Sequence, residues 1–162
     1  MKRINIIKLI IAIIIPLLVG MLSSFVTKDA MISFNMMKKP PLSPPGILFP
    51  IVWSILYVLM GISSYILYEY DTQNEKNGLR IKNKCLSLYI VQLVFNFFWS
   101  IIFFKFNLYF LGFVWLMILW ILVLLLMIES KKISRVAVNL LIPYITWMTF
   151  AAYLNIGVAL LN

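Results

Sequence analysis

At 162 residues, 64% hydrophobic and 12% charged, with a mean hydropathy of +1.02, the chain carries about half the charge of an ordinary soluble domain. One domain of this length would have too little polar surface to stay in solution. The absence of histidine and the single cysteine, Cys85, exclude a zinc site, a Cys/His catalytic pair and an internal disulfide. No metal and no cofactor is expected.

The charged side chains fall in short clusters. Residues 9–27, 40–68, 85–104, 106–128 and 136–162 carry none. Each stretch is close to or above the roughly 20 residues that cross a ~30 Å hydrocarbon layer. The runs do not alternate polar and apolar residues, so a closed barrel is excluded. The expectation is an all-α integral membrane protein, a bundle of five transmembrane helices forming one domain over residues 1–162. The helices are expected near 6–27, 47–69, 83–105, 107–129 and 134–158.

Lys2, Arg3 and Lys8 precede the first run, which is longer than a signal-peptide core and is followed by no A-x-A-like site. It reads as a retained helix, with Pro16, Gly20, Ser23 and Ser24 at packing positions. A loop over 28–46 follows, stiffened by Pro40, Pro41, Pro44 and Pro45. In the second helix Trp53, Tyr57, Gly61 and Ser64 share one face; in the third, Gln92, Asn96, Trp99 and Phe103 do the same. The turn around Lys105–Asn107 makes helices three and four adjacent and antiparallel. The fourth run holds sixteen Leu, Ile, Phe or Val residues between Phe106 and Ile128. They supply roughly −5 to −10 kcal/mol of insertion preference. Its Trp115 and Trp120 lie on different faces without polar neighbours and read as packing anchors. On the fifth helix Tyr144, Trp147, Ala151 and Leu154 share a face, with Asn155 at its edge. Pro16 and Pro143 free the carbonyls of Ala12 and Asn139, so both sites are expected to face protein or a cavity.

Five spans put the termini on opposite sides. Ten cations lie on the N-terminal side and four (Lys28, Lys38, Lys39, Lys105) on the other. That asymmetry predicts a cytoplasmic N-terminus and an external C-terminus. The net charge of +9 is therefore a topology signal, and no nucleic-acid partner is expected.

No Asp, Glu, Lys or Arg occupies the centre of a span, which counts against an ion-coupled transporter. No nucleophile–base pair or phosphate-cradling loop is present. What remains is aromatic and amide. Gln92 and Asn96 are costly at mid-membrane depth unless hydrogen-bonded, so they should point into the bundle. Trp and Tyr rings suit a planar aromatic ligand, although helix-spaced aromatics in membrane proteins more often serve packing.

The run Lys39-Pro40-Pro41-Leu42-Ser43-Pro44-Pro45-Gly46, with Phe49, Val52-Trp53, Leu56-Tyr57 and Met60-Gly61, resembles the signature of the translocator protein family. This family is also called TspO/MBR, the tryptophan-rich sensory proteins or peripheral-type benzodiazepine receptors. Gln92-Leu93, Asn96, Trp99-Ser100 and Phe103-Phe104 are similar to its third helix. Pro143-Tyr144, Trp147, Phe150-Ala151 and Leu154-Asn155 are similar to its fifth.

The resemblance, to a bacterial-type member, implies a five-helix bundle in a bacterial cell membrane, commonly a homodimer. It implies binding of tetrapyrroles such as protoporphyrin IX and of synthetic benzodiazepine-receptor ligands. The implied pocket lies between helices two, three and five under the first loop. Trp53 and Trp147 match the family's pocket tryptophans and Asn96 its asparagine; Tyr57, Gln92, Trp99, Tyr144 and Ala151 follow from shared faces. Lys38 and Lys39, beside Pro44 and Pro45, are placed to pair with porphyrin propionates. Two departures stand out: Leu42 replaces the usual loop aromatic, and no basic residue follows Tyr153 to complete a sterol motif. The leading reading is a receptor or sensor for planar apolar ligands. The alternatives are light- and oxygen-dependent protoporphyrin degradation, with Trp53 and Trp147 as catalytic electron donors, and porphyrin or sterol transport.

Overall fold

The computed structural model describes residues 4–30, 36–72 and 77–162. Five helices cross the molecule: α1 (Ile6–Thr27), α2 (Leu48–Tyr68), α3 (Gly78–Ser100), α4 (Tyr109–Ser130) and α5 (Arg135–Leu161). All are long and apolar enough to span a bilayer, and no strand occurs among the described residues. Asn5 caps α1 by accepting from Lys8 N–H at 3.2 Å, and Ser134 caps α5 by accepting from Ala137 N–H at 3.3 Å. Each satisfies a donor that the first helical turn leaves open.

The helices form a ring in the order α1, α2, α5, α4, α3, closed by contact between α3 and α1. Lipid tails are as apolar as leucine, so burial of oily surface does not hold such a ring together. Close packing and interhelical hydrogen bonds do. A Cβ on Gly61 would stand 2.6 Å from Ile13 Cα and 2.7 Å from Ala12 O. Only glycine lets α1 approach α2 this closely. The carbonyl against Gly61 is the one freed by Pro16, which is itself buried as expected. Pro143 differs: it is exposed on the outer face of α5, so its helix defect is turned away from the interior. Isoleucines 7, 10, 11, 14 and 15 leave α1 the most lipid-facing helix of the bundle.

Trp115 and Trp120 also depart from expectation, because both have polar partners. Trp115 donates to Phe95 O at 2.8 Å and stacks on the Phe95 ring, clamping α4 to α3. Trp120 donates to Thr149 Oγ1 at 3.0 Å and clamps α4 to α5.

α3 begins at Gly78 rather than near 83. The end of an apolar run marks the edge of the hydrocarbon, while backbone hydrogen bonding continues through Arg80 and Lys82 beyond it. At its other end α3 passes into a π-helical turn over Ile101–Lys105, closed by Phe106 N–H to Ile101 O at 3.0 Å. Widening the turn brings residues five apart toward one face. Trp99 thus stacks on Phe103, with centroids 5.6 Å apart, and also meets the edge of Phe104 at 6.0 Å. Wide turns of this kind recur at functional sites.

The described part of the first loop is pinned to the end of α5. Tyr153 Oη donates to Pro41 O at 2.8 Å, and the Asn162 side chain bonds Lys38 N–H and C=O at 3.2 and 2.9 Å. Pro40 is buried against Gly157, where any Cβ would meet its ring at 2.6 Å. Leu42 takes a left-handed conformation, φ 67°, and Ser43 Oγ bonds Pro40 O at 2.8 Å.

Candidate ligand-binding site

The centre of the bundle is polar. Tyr57 Oη on α2 donates to Asn96 Oδ1 on α3 at 2.7 Å. Asn96 Nδ2 donates to Tyr144 Oη on α5 at 2.9 Å, and Tyr144 Oη donates to Gln92 Oε1 at 3.0 Å. All four side chains are buried, with Tyr144 and Gln92 wholly inaccessible. The chain of bonds joins three helices and explains why two amides are tolerated at this depth. A second link lies nearer the loop: Trp99 Nε1 donates to Asn155 Oδ1 at 3.3 Å, and Asn155 Nδ2 to Tyr109 O at 2.9 Å.

Aromatic rings cover this core on the loop side. Trp53, half-buried, has ring centroids 5.6 Å from Tyr57, 6.1 Å from Trp99 and 6.0 Å from Tyr144. Trp147 meets Phe49 edge-on at 6.0 Å and Phe150 at 5.6 Å. Three buried groups are left without a hydrogen-bond partner among the described residues: Trp147 Nε1, Gln92 Nε2 and, one turn before Gln92, Tyr89 Oη.

Two openings flank this aromatic wall. A cleft of about 260 Å³ lies between α1, α2 and α3, lined by Trp53, Tyr57 and Trp99 together with Phe49 and Phe104. Small hydroxyls of Ser23, Ser24, Thr27, Ser54 and Ser100 line its rim. A cavity of about 20 Å³ lies under the loop, bounded by Lys39, Pro44, Trp99 and Ala151, again with Phe49 and Phe104. Gln92, Asn96, Tyr144 and Trp147 line neither opening. Lys38 and Pro45 are exposed outside both, Pro45 accepting from Leu48 N–H where α2 starts. Asn96 has both ends of its amide engaged inside the protein.

The residues on both walls that spacing did not single out are Phe49 and Phe104. Phe49 sits at the start of α2, and only the π-turn brings Phe104 to the Trp99 side, so simple helical spacing could not place it. The hydroxyls of α1 were visible in the sequence as packing residues, and here they border open space.

The model of the TspO/MBR family matches residues 12–161. The chain belongs to the TspO/MBR family. It is 35% identical over 140 residues to a tryptophan-rich protein TspO of Chlorobaculum tepidum, covering 86% of this chain and 85% of the relative. A protein of the same name from Archaeoglobus fulgidus is 35% identical over 159 residues, covering 98% and 99%. A tryptophan-rich sensory protein of Cereibacter sphaeroides is 30% identical over 129 residues, covering 80% and 76%. With its five spanning helices, this TspO/MBR chain is an integral membrane protein.

Proposed function

We propose that the chain is a membrane receptor or sensor for flat, mostly apolar molecules, with tetrapyrroles such as protoporphyrin IX as the leading ligand class. A relative is named a tryptophan-rich sensory protein, which fits a sensing role. The ligand enters through the α1/α2/α3 cleft and seats against Trp53 and Trp147 beneath the loop. Pockets for ligands of drug size run to roughly 300–1,000 Å³. The cleft and the loop cavity fall short of that both singly and together, so binding requires Phe49 and Phe104, which with Trp99 line both, to swing aside. In a porphyrin complex the propionates lie toward Lys38 and Lys39.

The observation that carries this reading is the buried N–H of Trp147, which has no acceptor among the described residues. An orphaned buried donor costs about 1–3 kcal/mol, and a ligand acceptor beside Phe49 would relieve it. Asn96 is spoken for by Tyr57 and Tyr144, so its role is to hold the aromatic walls rather than to contact the ligand first. The same reading places the N-terminus in the cytoplasm of a bacterial cell and two copies in a dimer, which chemical crosslinking in membranes would check.

Titration with protoporphyrin IX should quench tryptophan fluorescence saturably. Trp147→Phe keeps a ring but loses the N–H, and affinity should fall about 2- to 13-fold, the equivalent of one hydrogen bond of ~0.5–1.5 kcal/mol. Trp53→Ala with Trp147→Ala should abolish saturable quenching of the remaining tryptophans. Unaltered affinity in that double variant would remove the pocket assignment.

A further inference from the structure

At the end of the bundle opposite the proline-rich loop, the start of α3 faces the turn between α4 and α5 across an open cleft of about 260 Å³. Its walls are Asn77, Arg80, Ile81, Lys84, Glu129 and Lys132. Arg80 and Lys84 lie four residues apart on one helical face. Glu129 Oε1 accepts from Lys84 Nζ at 2.6 Å and its Oε2 from Lys132 Nζ at 2.8 Å. This one carboxylate therefore fixes both ammonium groups and ties α3 to the end of α4. Among the described lining residues three cations stand against one anion, a formal charge of +2. Arg80 is exposed and makes no ion pair or hydrogen bond among the described residues. Among the described residues no side chain caps the first turn of α3.

We propose that this cleft is a binding site for a phosphate-type anion, separate from the aromatic site some twenty residues further along α3. Its planar guanidinium suits Arg80 to bidentate phosphate recognition, while Lys84 and Lys132, already oriented by Glu129, supply flanking charge. The cleft is large against the ~30 Å³ that one water occupies in liquid, so a hydrated phosphate group fits. Its position beyond the apolar part of α3 is level with lipid headgroups. A phospholipid phosphodiester and a free phosphate present the same chemistry there. A cationic face that serves membrane orientation alone needs no cavity and no fixed ammonium pair, and it would not distinguish Arg80 from Lys131 at the same end of the bundle.

The test uses the full chain purified in a neutral detergent. Native mass spectrometry measures retention of a diacyl phosphatidylglycerol against a phosphatidylcholine with the same acyl chains. The wild type should retain the anionic lipid preferentially. Arg80→Gln should reduce that preference about fivefold, the effect of one cation near an anionic headgroup. Lys131→Gln, on the same face outside the cleft, should leave it within twofold. Millimolar inorganic phosphate that displaces the lipid in the wild type, but not in Arg80→Gln, assigns the site to free phosphate; lipid that persists assigns it to a headgroup. Equal retention of both lipids with no effect of phosphate would overturn the proposal. So would an equal loss of preference in Lys131→Gln and Arg80→Gln.

Discussion

Asn96 is the junction of the buried network, and its replacement measures what the network contributes. Asn96→Ala severs the bond from Tyr57 Oη at 2.7 Å and the bond to Tyr144 Oη at 2.9 Å. Interhelical hydrogen bonds in membrane proteins average about 0.6 kcal/mol, with a maximum near 1.7. Two bonds therefore predict a loss of roughly 1.2–3.4 kcal/mol. Tyr144 keeps Gln92 Oε1 as its acceptor at 3.0 Å, but the buried Tyr57 hydroxyl loses its acceptor, so the loss should lie toward the upper end of that range. Tyr57→Phe breaks one of the same two bonds and should cost about 0.6–1.7 kcal/mol. In a double-mutant cycle the pair should couple by a similar amount, because the Tyr57 bond can be lost only once. The assay is reversible unfolding in mixed micelles with rising dodecyl sulfate, followed by far-ultraviolet circular dichroism. Thr146→Val is the control: among the described residues this hydroxyl bonds only Ile142 O of its own helix on the exposed face, and its loss should lie within about 0.5 kcal/mol of zero. Additivity of Asn96→Ala and Tyr57→Phe to within ~0.3–0.5 kcal/mol would refute the network as a coupled unit.

Gly61→Ala should destabilise by about 1–3 kcal/mol in the same assay, since the added methyl meets the α1 backbone at 2.6 Å and backbone cannot turn aside. Gly112→Ala, whose nearest neighbour would be 3.4 Å away, should fall within about 1 kcal/mol of wild type and can gain from helix propensity. Tyr153→Phe removes the 2.8 Å bond to Pro41 O, and backbone amides of residues 36–46 should exchange hydrogen about 2- to 13-fold faster, the equivalent of ~0.5–1.5 kcal/mol. Gly157→Ala should free the loop further, because the Cβ would stand 2.6 Å from the Pro40 ring; protease access near Met37 reads it out, and cleavage no faster than wild type would contradict that docking.

The five-helix architecture was legible because charge is so costly in hydrocarbon that it punctuates the chain at each membrane crossing. The inward faces were legible for a related reason: Gln92, Asn96 and Tyr144 at helical spacing have nowhere to go but the interior. Spacing names a face without naming its partner, so the order Tyr57, Asn96, Tyr144, Gln92 waited for the packed ring. The amphipathic pattern also runs one residue out of phase after the π-turn, which hid Phe104. The Lys84–Glu129–Lys132 bridge was hidden for a different reason: it joins residues 45 apart in sequence, and nothing local in a basic cluster distinguishes a fixed ion pair from a solvated one. Leu42 is open to solvent at the loop's left-handed corner, and so contributes no ring to the site below it.

A structure of the chain with protoporphyrin IX bound bears most directly on whether this interior grips flat molecules. The account predicts a ring in contact with Trp53 and Trp147, Phe49 rotated away from its present edge contact with Trp147, and the Trp147 N–H bonded to the ligand. A ring held only on the lipid-facing side of α1, with Phe49 unmoved and the Trp147 N–H still unpaired, would contradict it.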